Sequence, residues 1–472
     1  MSKNPHKLLV ANRGEIAIRI IRAARKLGIE TVAAYSDADS GTIPTRLADQ
    51  AIHIGGSRAQ ESYLDPKKLI NAATQTGCNA IHPGYGFLSE NHLFNQSVRD
   101  AGLIFVGPES ESVRIMGDKD LARKKVAERG VPVLTGAEVE DGLEIISKKI
   151  GFPLLVKAVS GGSGRGMRRV NSSDDLETAI SEAKRESLAA FGDDRVIIEK
   201  YLENPRHIEV QIFGDGKGKV VHFGERECSI QRRHQKLVEE APAPRLSENT
   251  RKKLYKAAIT AGECVYYSGA GTVEFLVEGG EEEDAPIWFL EMNTRIQVEH
   301  PVTEEVWGVD LVGMQLKQSL LNNLELKQKD KVKHRHSIEY RIYAEDPTNS
   351  FIAKSGEIKF YSRPGGYGVR EDGWIESGTV LTSFYDTMLT KLIVTGNSRE
   401  DALKTSKNLL FETIVEGMPT TLDFHRWLID QKDFEQGNVH IHWLEKKYSG
   451  QSTPSFFTGP LKVPETEDKK SV

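Results

Sequence analysis

A strand, helix, strand pattern between residues 8 and 35 restricts the fold of this 472-residue chain more than any other feature. The apolar run LLVA precedes a helical pattern from Glu15 to Leu27, and the run ETVAAY follows. Parallel strands need such a crossover, so the pattern predicts an α/β fold that begins with a Rossmann-like parallel sheet. The first turn, Asn12-Arg13-Gly14, has one glycine where a dinucleotide fingerprint needs three, which disfavours an NAD site.

Length and composition narrow the class of protein. The length predicts about three domains, and a net charge of −5 provides no basic field for nucleic acid. The three cysteines are far apart and form no CxxC pair, so we expect neither a disulfide framework nor a zinc ribbon, and a reducing cytosol fits best. We predict no signal peptide and no membrane span, because no apolar run is long enough.

A glycine-rich segment, Gly161 to Met167, lies between the predicted strands LLVK and MRRV. Glycines let backbone N–H groups approach phosphate oxygens closely. A Walker loop is excluded, because Met167-Arg168 stands where Lys-Ser/Thr would be required. A plain hairpin turn is the alternative. Lys157 on the adjoining strand and Lys119 just beyond a glycine favour a flap over a nucleotide, since phosphates need such point charges.

The segment EMNTRIQVEH alternates polar and apolar residues, as a strand does. If it is extended, Glu291 and Glu299 share one face about 26 Å apart. Glu274 stands opposite if the preceding strand GTVEFLVE pairs with it, and Glu274, Glu291 and Asn293 then form an oxygen-rich site suited to Mg²⁺. Arg295 offers a planar fork for an anion, and Glu299, too far away for that metal, is free to act as a base. A solvated polar strand face is the alternative.

A basic run follows the predicted hairpin that begins at His207. Arg232, Arg233, His234 and Lys236 stand before VEEAPAP, whose prolines favour an extended path. The run predicts a site for a small oxyanion, with a solvated basic loop as the alternative. His234 is predicted to be a hydrogen-bonding group, because no second His or Cys lies at metal-ligand spacing.

Taken in order, these segments resemble the biotin carboxylase family of the ATP-grasp superfamily over residues 5–448. The shared motifs are NRGEIA, HPGYGFLSEN, MGDK, GGSGRGM, EKYL, RHIEVQ, ERECSIQRRHQK, EEAPAP, EMNTRIQVEHPVTE, YRIYAEDP and YDTMLTKLIV. The resemblance implies a Rossmann-like parallel-sheet domain at 1–117, an ATP-grasp domain at 118–335 with a mobile lid at about 132–205, and an α+β C-terminal domain at 336–448. We expect the tail, 449–472, to be disordered.

The resemblance also implies ATP- and bicarbonate-dependent carboxylation of the ureido nitrogen of biotin, through carboxyphosphate. ATP contacts fall on Lys119, Lys157, Ser163, Gly164, Glu199, Lys200, Tyr201, Leu202, His207, Gln231, His234 and Glu274. Mg²⁺ (or Mn²⁺) falls on Glu274, Glu291 and Asn293, and bicarbonate on Lys236, Arg295, Gln297 and the backbone of Val298. Glu299 removes the bicarbonate proton, and Arg341 faces the enolate of biotin; Lys236, Arg295, Glu299 and Arg341 are the implied catalytic residues.

The chain departs modestly from the family pattern, with Ser163 where many relatives have glycine, Pro44 where histidine is frequent, and a longer acidic loop GGEEEDAP. None of these changes touches an implied catalytic position.

Carrier proteins bear their biotinyl lysine in a Met-Lys-Met context, and none of the seven methionines here precedes a lysine. We therefore expect biotin on a separate carboxyl carrier protein, together with a carboxyltransferase subunit, and a homodimer or larger complex in the cytoplasm. We expect no contact with nucleic acid or membrane. The final acceptor, such as acetyl-CoA, propionyl-CoA or pyruvate, stays open. One alternative is another ATP-grasp ligase that activates a different carboxylate; a second is a non-catalytic nucleotide-sensing or scaffold subunit.

Overall fold

The N-terminal sheet has five parallel strands, as the opening pattern predicts. The computed structural model describes residues 6–139, 142–159, 167–328 and 335–450. The strands are β1 (Lys7–Val10), β2 (Glu30–Ser36), β3 (Gln50–Gly55), β4 (Ala80–His82) and β5 (Ile104–Phe105), in the order β3-β2-β1-β4-β5. The helices around it are α1 (Gly14–Lys26), α2 (Ile43–Leu47), α3 (Pro66–Gln75), α4 (His92–Asp100), α5 (Ser110–Gly117) and α6 (Lys119–Ala127). The predicted first helix is confirmed within one residue at each end.

The strand order reverses next to β1, so the loops after β1 and β4 lie side by side at the carboxyl edge of the sheet. The Asn12 side-chain amide joins them by donating to the backbone oxygens of Pro83 and Tyr85, both at 2.7 Å. Ligand crevices of open α/β sheets form at such reversals. This edge therefore becomes one wall of the candidate site.

A second sheet is small and antiparallel, with the order β6-β9-β7-β8. Its strands are β6 (Gly136–Glu138), β7 (Leu154–Ala158), β8 (Met167–Val170) and β9 (Val196–Lys200), and its helices are α7 (Leu143–Ile150) and α8 (Leu176–Phe191). The predicted pair of strands around the glycine segment is confirmed, with Leu154 opposite Val170 and Lys157 opposite Met167. Ser163 and Gly164 lie outside the described residues.

The largest sheet has eight antiparallel strands in the order β14-β13-β10-β11-β12-β15-β22-β20. They are β10 (Arg206–Asp215), β11 (Val220–Arg232), β12 (Gln235–Ala241), β13 (Ser268–Val277), β14 (Ile287–Asn293), β15 (His336–Tyr343), β20 (Val369–Gly373) and β22 (Met388–Gly396). Short pairs complete the strands: β16 (Glu345–Asp346) with β17 (Ile352–Ala353), β18 (Gly356–Glu357) with β21 (Val380–Leu381), and β19 (Phe360–Ser362) with β23 (Ile414–Glu416).

The remaining helices are α9 (Glu248–Glu263), α10 (His300–Trp307), α11 (Leu311–Leu316), α12 (Arg399–Glu412), α13 (Leu422–Leu428), α14 (Lys432–Glu435) and α15 (Trp443–Lys447). The predicted hairpin of β10 with β11 is confirmed, and so is the pairing of β13 with β14 that sets Glu274 opposite Glu291. Because β12 pairs with β15, the large sheet continues across residues 335 and 336, where the sequence suggested a change of domain.

The predicted strand from Glu291 to Glu299 is wrong in its second half. β14 ends at Asn293, and α10 begins at His300 with Pro301 in its first turn. Proline is favoured at a helix start, where its missing N–H leaves no bond unmade. The chain therefore bends between these elements, and Glu299 does not lie at the far end of an extended strand.

The interior of each sheet is packed with aliphatic and aromatic side chains. Helix α1 buries Ile16, Ile20 and Ala24 against the first sheet and the neighbouring α11. All three cysteines are buried and free. Among the described residues, every helix is too short or too polar to cross a lipid bilayer.

Candidate active site

A cleft of about 1000 Å³ opens between the carboxyl edge of the first sheet, the small sheet and the large sheet. Every implied site residue in the described part of the chain lines it: Lys119, Lys157, Glu199, Lys200, Tyr201, Leu202, His207, Gln231, His234, Lys236, Glu274, Glu291, Asn293, Arg295, Gln297, Val298, Glu299 and Arg341. The fold thus collects side chains from positions more than 200 residues apart into one cavity.

The small-sheet end of the cleft holds two lysines. Lys157 on β7 is buried, and its Nζ lies 2.5 Å from Glu199 Oε2 on β9. Burial alone would raise the pKa of Glu199, but Lys157 and other nearby cations lower it, so this carboxyl is ionised. Lys119 begins α6, with its Nζ 3.8 Å from Glu291 Oε2. Both ammonium groups therefore face the cavity as charged groups that an anionic phosphate can bind.

Tyr201 follows β9 and is held from two sides. Its ring stacks on His442 with centroids 5.9 Å apart, and its hydroxyl lies 3.0 Å from His442 Nε2. On the small sheet, the guanidinium of Arg169 lies over the Tyr201 ring at 4.5 Å. His442 precedes α15, so the last part of the described chain helps to shape the end of the cleft that holds the implied ATP contacts Glu199 to Leu202.

Lys236 is the centre of a buried carboxylate cluster on the large sheet. Its Nζ lies 2.5 Å from Glu209 Oε2, 3.0 Å from Glu274 Oε1 and 2.6 Å from Glu299 Oε1. Burial would lower the pKa of Lys236, but these three carboxylates raise it well above its usual value, so the ammonium stays charged. Glu274 and Glu299 therefore reach the same nitrogen, which corrects the prediction that Glu299 lies far from the oxygen-rich site.

The oxygen-rich site fits a divalent cation at two of its three positions. Glu274 and Glu291 face each other across β13 and β14, and burial together with the Glu274 charge raises the pKa of Glu291. Paired carboxylates suit Mg²⁺, which prefers oxygen ligands, although Lys236 already contacts Glu274 and Lys119 lies 3.8 Å from Glu291. Asn293 donates from Nδ2 to Glu274 at 2.9 Å, while its Oδ1 accepts from Arg295, also at 2.9 Å. Its oxygen thus already has a partner.

Another group of side chains has metal-ligand spacing but already surrounds a cation. His207, Glu209 and Glu274 bring ligand atoms within 4.8 Å of one another. The Lys236 ammonium contacts both carboxylates, and His207 Nε2 lies 2.9 Å from Glu274 Oε2. Although burial lowers the pKa of His207, Glu274 raises it overall. The site is therefore already balanced by the protein's own charges.

Arg295 lies in the bend after β14 and is held by three side chains and one backbone carbonyl, that of Ile296 at 3.3 Å. Its guanidinium donates to Glu90 at 2.7 Å, to Gln297 Oε1 at 2.8 Å and to Asn293 Oδ1 at 2.9 Å. Gln297 in turn donates from Nε2 to Glu274 at 3.0 Å. The planar fork is thus fixed in the same cleft as Lys236 and is linked to it through Gln297 and Glu274, so that both cations are available to an anion.

Glu299 is joined to Arg341 at the floor of the cleft. Arg341 on β15 lies 2.9 Å from Glu299 Oε2 and 2.5 Å from Glu239 Oε1, and all three side chains are buried. Burial would raise the pKa of Glu299, but Lys236, Arg341 and Arg226 lower it well below its usual range. Glu299 is therefore a carboxylate at any ordinary pH.

The basic run divides, which corrects the prediction that its charges act together. Arg233 and His234 form the two-residue turn between β11 and β12, with φ of 46° and 68°. Such a turn matches the twist of a hairpin, but positive φ costs a non-glycine residue about 1–2 kcal/mol. Beyond the turn Lys236 points inward, whereas Arg232 lies over the Phe351 ring at 4.7 Å. Only Lys236 reaches the carboxylate cluster.

Sequence reasoning missed several residues that hold the predicted ones in place. They are Glu90, Glu209, Glu239 and His442. Glu209 lies in the shared motif RHIEVQ and Glu90 in HPGYGFLSEN, so both carried a signal, but the sequence did not show which side chains they contact. Glu239 lies in the motif EEAPAP in the same way, whereas His442 lies outside every shared motif and carried no signal.

Comparison with known proteins places this geometry in a family. The model of the biotin carboxylase N-terminal domain matches residues 4–113, that of the carbamoyl-phosphate synthase L chain ATP-binding domain matches 118–327, and that of the biotin carboxylase C-terminal domain matches 339–446. A biotin carboxylase of Haemophilus influenzae is 46% identical over 446 residues, covering 93% of this chain and 98% of the relative.

Two further relatives belong to pyruvate and 2-oxoglutarate carboxylases. A pyruvate carboxylase subunit of Methanothermobacter thermautotrophicus is 45% identical over 448 residues, covering 94% of this chain and 90% of the relative. The biotin carboxylase domain dimer of the Hydrogenobacter thermophilus 2-oxoglutarate carboxylase, solved with MgADP, ADP and bicarbonate, is similar with a TM-score of 0.88 and 40% identity, covering 93% of this chain and 97% of that one. The family resemblance and the fold class expected from the sequence are thereby confirmed, and the chain belongs to the biotin carboxylase family of ATP-dependent ligases.

Proposed function

We propose that this chain carboxylates the ureido nitrogen of biotin, using ATP and bicarbonate, through a carboxyphosphate intermediate. One observation carries the proposal: Lys236, Glu299 and Arg341 form a connected, buried group on the floor of a cleft whose other end presents Lys119 and Lys157. A cation, a base and a guanidinium within reach of a phosphate site provide what the reaction requires.

At the nucleotide end, Lys119 and Lys157 bind the phosphates, and Glu199 to Leu202 line the adenine site beside His207, Gln231 and His234. The resemblance assigns further ATP contacts to Ser163 and Gly164, which lie outside the described residues. The ligands of Mg²⁺ (or Mn²⁺) would be Glu274, Glu291 and Asn293. When bound, the ion would neutralise negative charge on the phosphoryl group that is transferred.

At the floor, Lys236 and Arg295 bind bicarbonate together with Gln297 and the backbone of Val298. Both cations are neutralised by the protein's own carboxylates before substrate arrives. Bicarbonate must therefore share the Lys236 ammonium with Glu299. This sharing weakens the interaction between Lys236 and Glu299, and the weaker interaction makes Glu299 a stronger base. The base then accepts the bicarbonate proton while a bicarbonate oxygen attacks the γ-phosphate and ADP leaves, which gives carboxyphosphate.

Carboxyphosphate decomposes to CO₂ and phosphate, and closure of the lid over the cleft keeps water away from it. The phosphate takes the ureido proton of biotin, the developing enolate oxygen faces Arg341, and the deprotonated nitrogen attacks CO₂ to form the new N–C bond. The buried position of this guanidinium favours strong stabilisation, since charges interact more strongly away from water.

Biotin comes from a separate carrier protein, and a carboxyltransferase subunit takes the carboxyl group onward, in a homodimer or a larger assembly. The relatives that are subunits or domains of pyruvate and 2-oxoglutarate carboxylases support this proposal. We further propose the division into domains at 1–117, 118–335 and 336–448, and a cytoplasmic setting, which suits three free thiols.

ATP turnover by the purified protein tests the proposal against another ATP-grasp ligase. Bicarbonate plus free biotin should stimulate ADP release, and amino acids or other small carboxylates should not. Stimulation by an amino acid and not by bicarbonate would support the rival activity instead. A non-catalytic subunit would bind ATP with no turnover under any of these conditions.

A further inference from the structure

Three of the sequence motifs contribute side chains to a buried cluster directly below the bicarbonate-binding segment. NRGEIA supplies Glu15, HPGYGFLSEN supplies Tyr85, and YDTMLTKLIV supplies Lys391. The Tyr85 hydroxyl donates to Glu15 Oε1, and the Lys391 Nζ lies 3.1 Å from the same oxygen. Lys391 also donates to the backbone oxygen of Val298 at 2.8 Å. The ammonium thus joins the first sheet, the large sheet and the bend that ends in Glu299.

Lys391 is a fully buried cation on β22, directly opposite Arg341 on β15. Burial would lower the pKa of Lys391, but Glu15, Glu339 and Asp372 raise it, so the ammonium is charged. Buried ion pairs are weak contributors to stability, because apolar side chains of similar volume often serve as well. A function other than stability therefore has to account for this pair.

The backbone around Val298 shows what the ammonium does. The carbonyl before Val298, that of Gln297, lies 2.7 Å from His300 Nδ1, and the carbonyl of Val298 accepts from Lys391. Peptide bonds are planar and trans, so fixing a carbonyl also fixes the N–H on its other side. His300 thereby directs the Val298 N–H, and Lys391 directs the backbone of Glu299, the residue just before α10.

We propose that Lys391 is a positioning residue for bicarbonate binding, which it serves by holding the Gln297–Glu299 segment through the Val298 carbonyl, and that Glu15 holds Lys391 in place. The inference rests on the proposed function, because bicarbonate is the ligand of that segment. Lys391 then affects the binding of bicarbonate and does not affect nucleotide binding at the other end of the cleft.

The test uses the purified full chain and three variants. Lys391→Met removes the charge at similar length; Glu15→Gln combined with Lys391→Met removes both charges and keeps an acceptor for Tyr85. The matched control is Lys404→Met, which removes an exposed lysine paired with Glu400 at 2.7 Å. For each protein, the KM for bicarbonate and the KM for ATP are measured in bicarbonate-dependent ATP hydrolysis, alongside the melting temperature.

Lys391→Met should raise the KM for bicarbonate about 10-fold, the effect expected for one lost charge-assisted hydrogen bond, and change the KM for ATP less than about 2-fold. The paired variant should recover the melting temperature but keep the raised KM, because the Val298 carbonyl still lacks its donor. The control should match the wild type. If Lys391→Met does not fold, the paired variant carries the test.

Equal changes in both KM values, or recovery of the bicarbonate KM in the paired variant, would show that the pair is only structural and would overturn the inference. A separate result distinguishes the underlying proposal. If wild-type ATP hydrolysis does not respond to bicarbonate at all, the proposed function is wrong, and the inference falls with it.

Discussion

Replacement of Glu299 by glutamine should separate catalysis from nucleotide binding. Glu299 accepts from Lys236 at 2.6 Å and from Arg341 at 2.9 Å, and the amide keeps the shape of the side chain while it loses the charge. The amide cannot take the bicarbonate proton. We expect bicarbonate-dependent phosphate release to fall about 10²–10⁴-fold, which corresponds to about 3–5 kcal/mol in the activation free energy.

The same change should cost little folding stability. Lys236 keeps Glu209 and Glu274, and Arg341 keeps the carboxyl group of Glu239, so neither cation loses its last acidic partner. We therefore expect a loss of about 1–3 kcal/mol in the free energy of unfolding, less than the roughly 3–5 kcal/mol of an abandoned buried charge. A domain with about 5–15 kcal/mol of stability stays folded after such a loss.

Nucleotide titration by fluorescence, phosphate release and thermal unfolding together check this prediction. The matched control is Glu240→Gln, because Glu240 is equally buried on β12 but pairs away from the cleft, with His336 at 2.7 Å and Arg399 at 2.9 Å. The control should lose stability and keep its turnover per folded molecule. An ATP affinity that collapses together with turnover in Glu299→Gln, or an equal loss of turnover in the control, would refute the assignment of Glu299 as the base.

Three further outcomes follow from the site. Glu291→Gln should raise the Mg²⁺ concentration needed for ATP cleavage about 10-fold or more, since Mg²⁺ loses a charged ligand; normal turnover at low magnesium would contradict the metal assignment. Arg341→Ala should reduce carboxybiotin formation more than bicarbonate-dependent ATP hydrolysis, and equal losses would remove its role toward biotin. Burial, opposed in part by Arg341, raises the pKa of Glu239 from its usual 4.5 to about 7, so the folded state holds a proton that the unfolded state has lost. The free energy of unfolding should therefore fall as pH rises from 4.5 to 7. Measured by chemical denaturation, the free energy of unfolding of Glu239→Gln should change less with pH than that of the wild type. An equal change with pH in both proteins would contradict the raised pKa.

The sequence predicted elements whose signal is local. The period of α1, the turn of the β10–β11 hairpin and the pairing that sets Glu274 opposite Glu291 all follow from patterns within a few residues. Alternation misled at Glu299, because polar residues alternate in a bend as readily as in a strand, and Pro301 was the one signal of a helix start.

Residues that act through long-range contacts could not be predicted. Glu90 reaches Arg295 across 205 positions of sequence, and Lys391 reaches Val298 across 93. Each is an ordinary charged residue in its own segment, and only the packing of the sheets gives it a partner. The implied role of Lys236 came from resemblance, whereas its three carboxylate partners became apparent only from the folded chain.

The fate of labelled bicarbonate tests the carboxylation of biotin directly. The purified protein is incubated with ATP, Mg²⁺, [¹⁴C]bicarbonate and free biotin, and acid-labile, base-stable label in biotin is measured together with ADP. The proposed function predicts carboxybiotin that requires ATP, is lost in Glu299→Gln and never exceeds the ADP formed. ATP consumption with no label in biotin, or carboxybiotin formed equally well by Glu299→Gln, would contradict it.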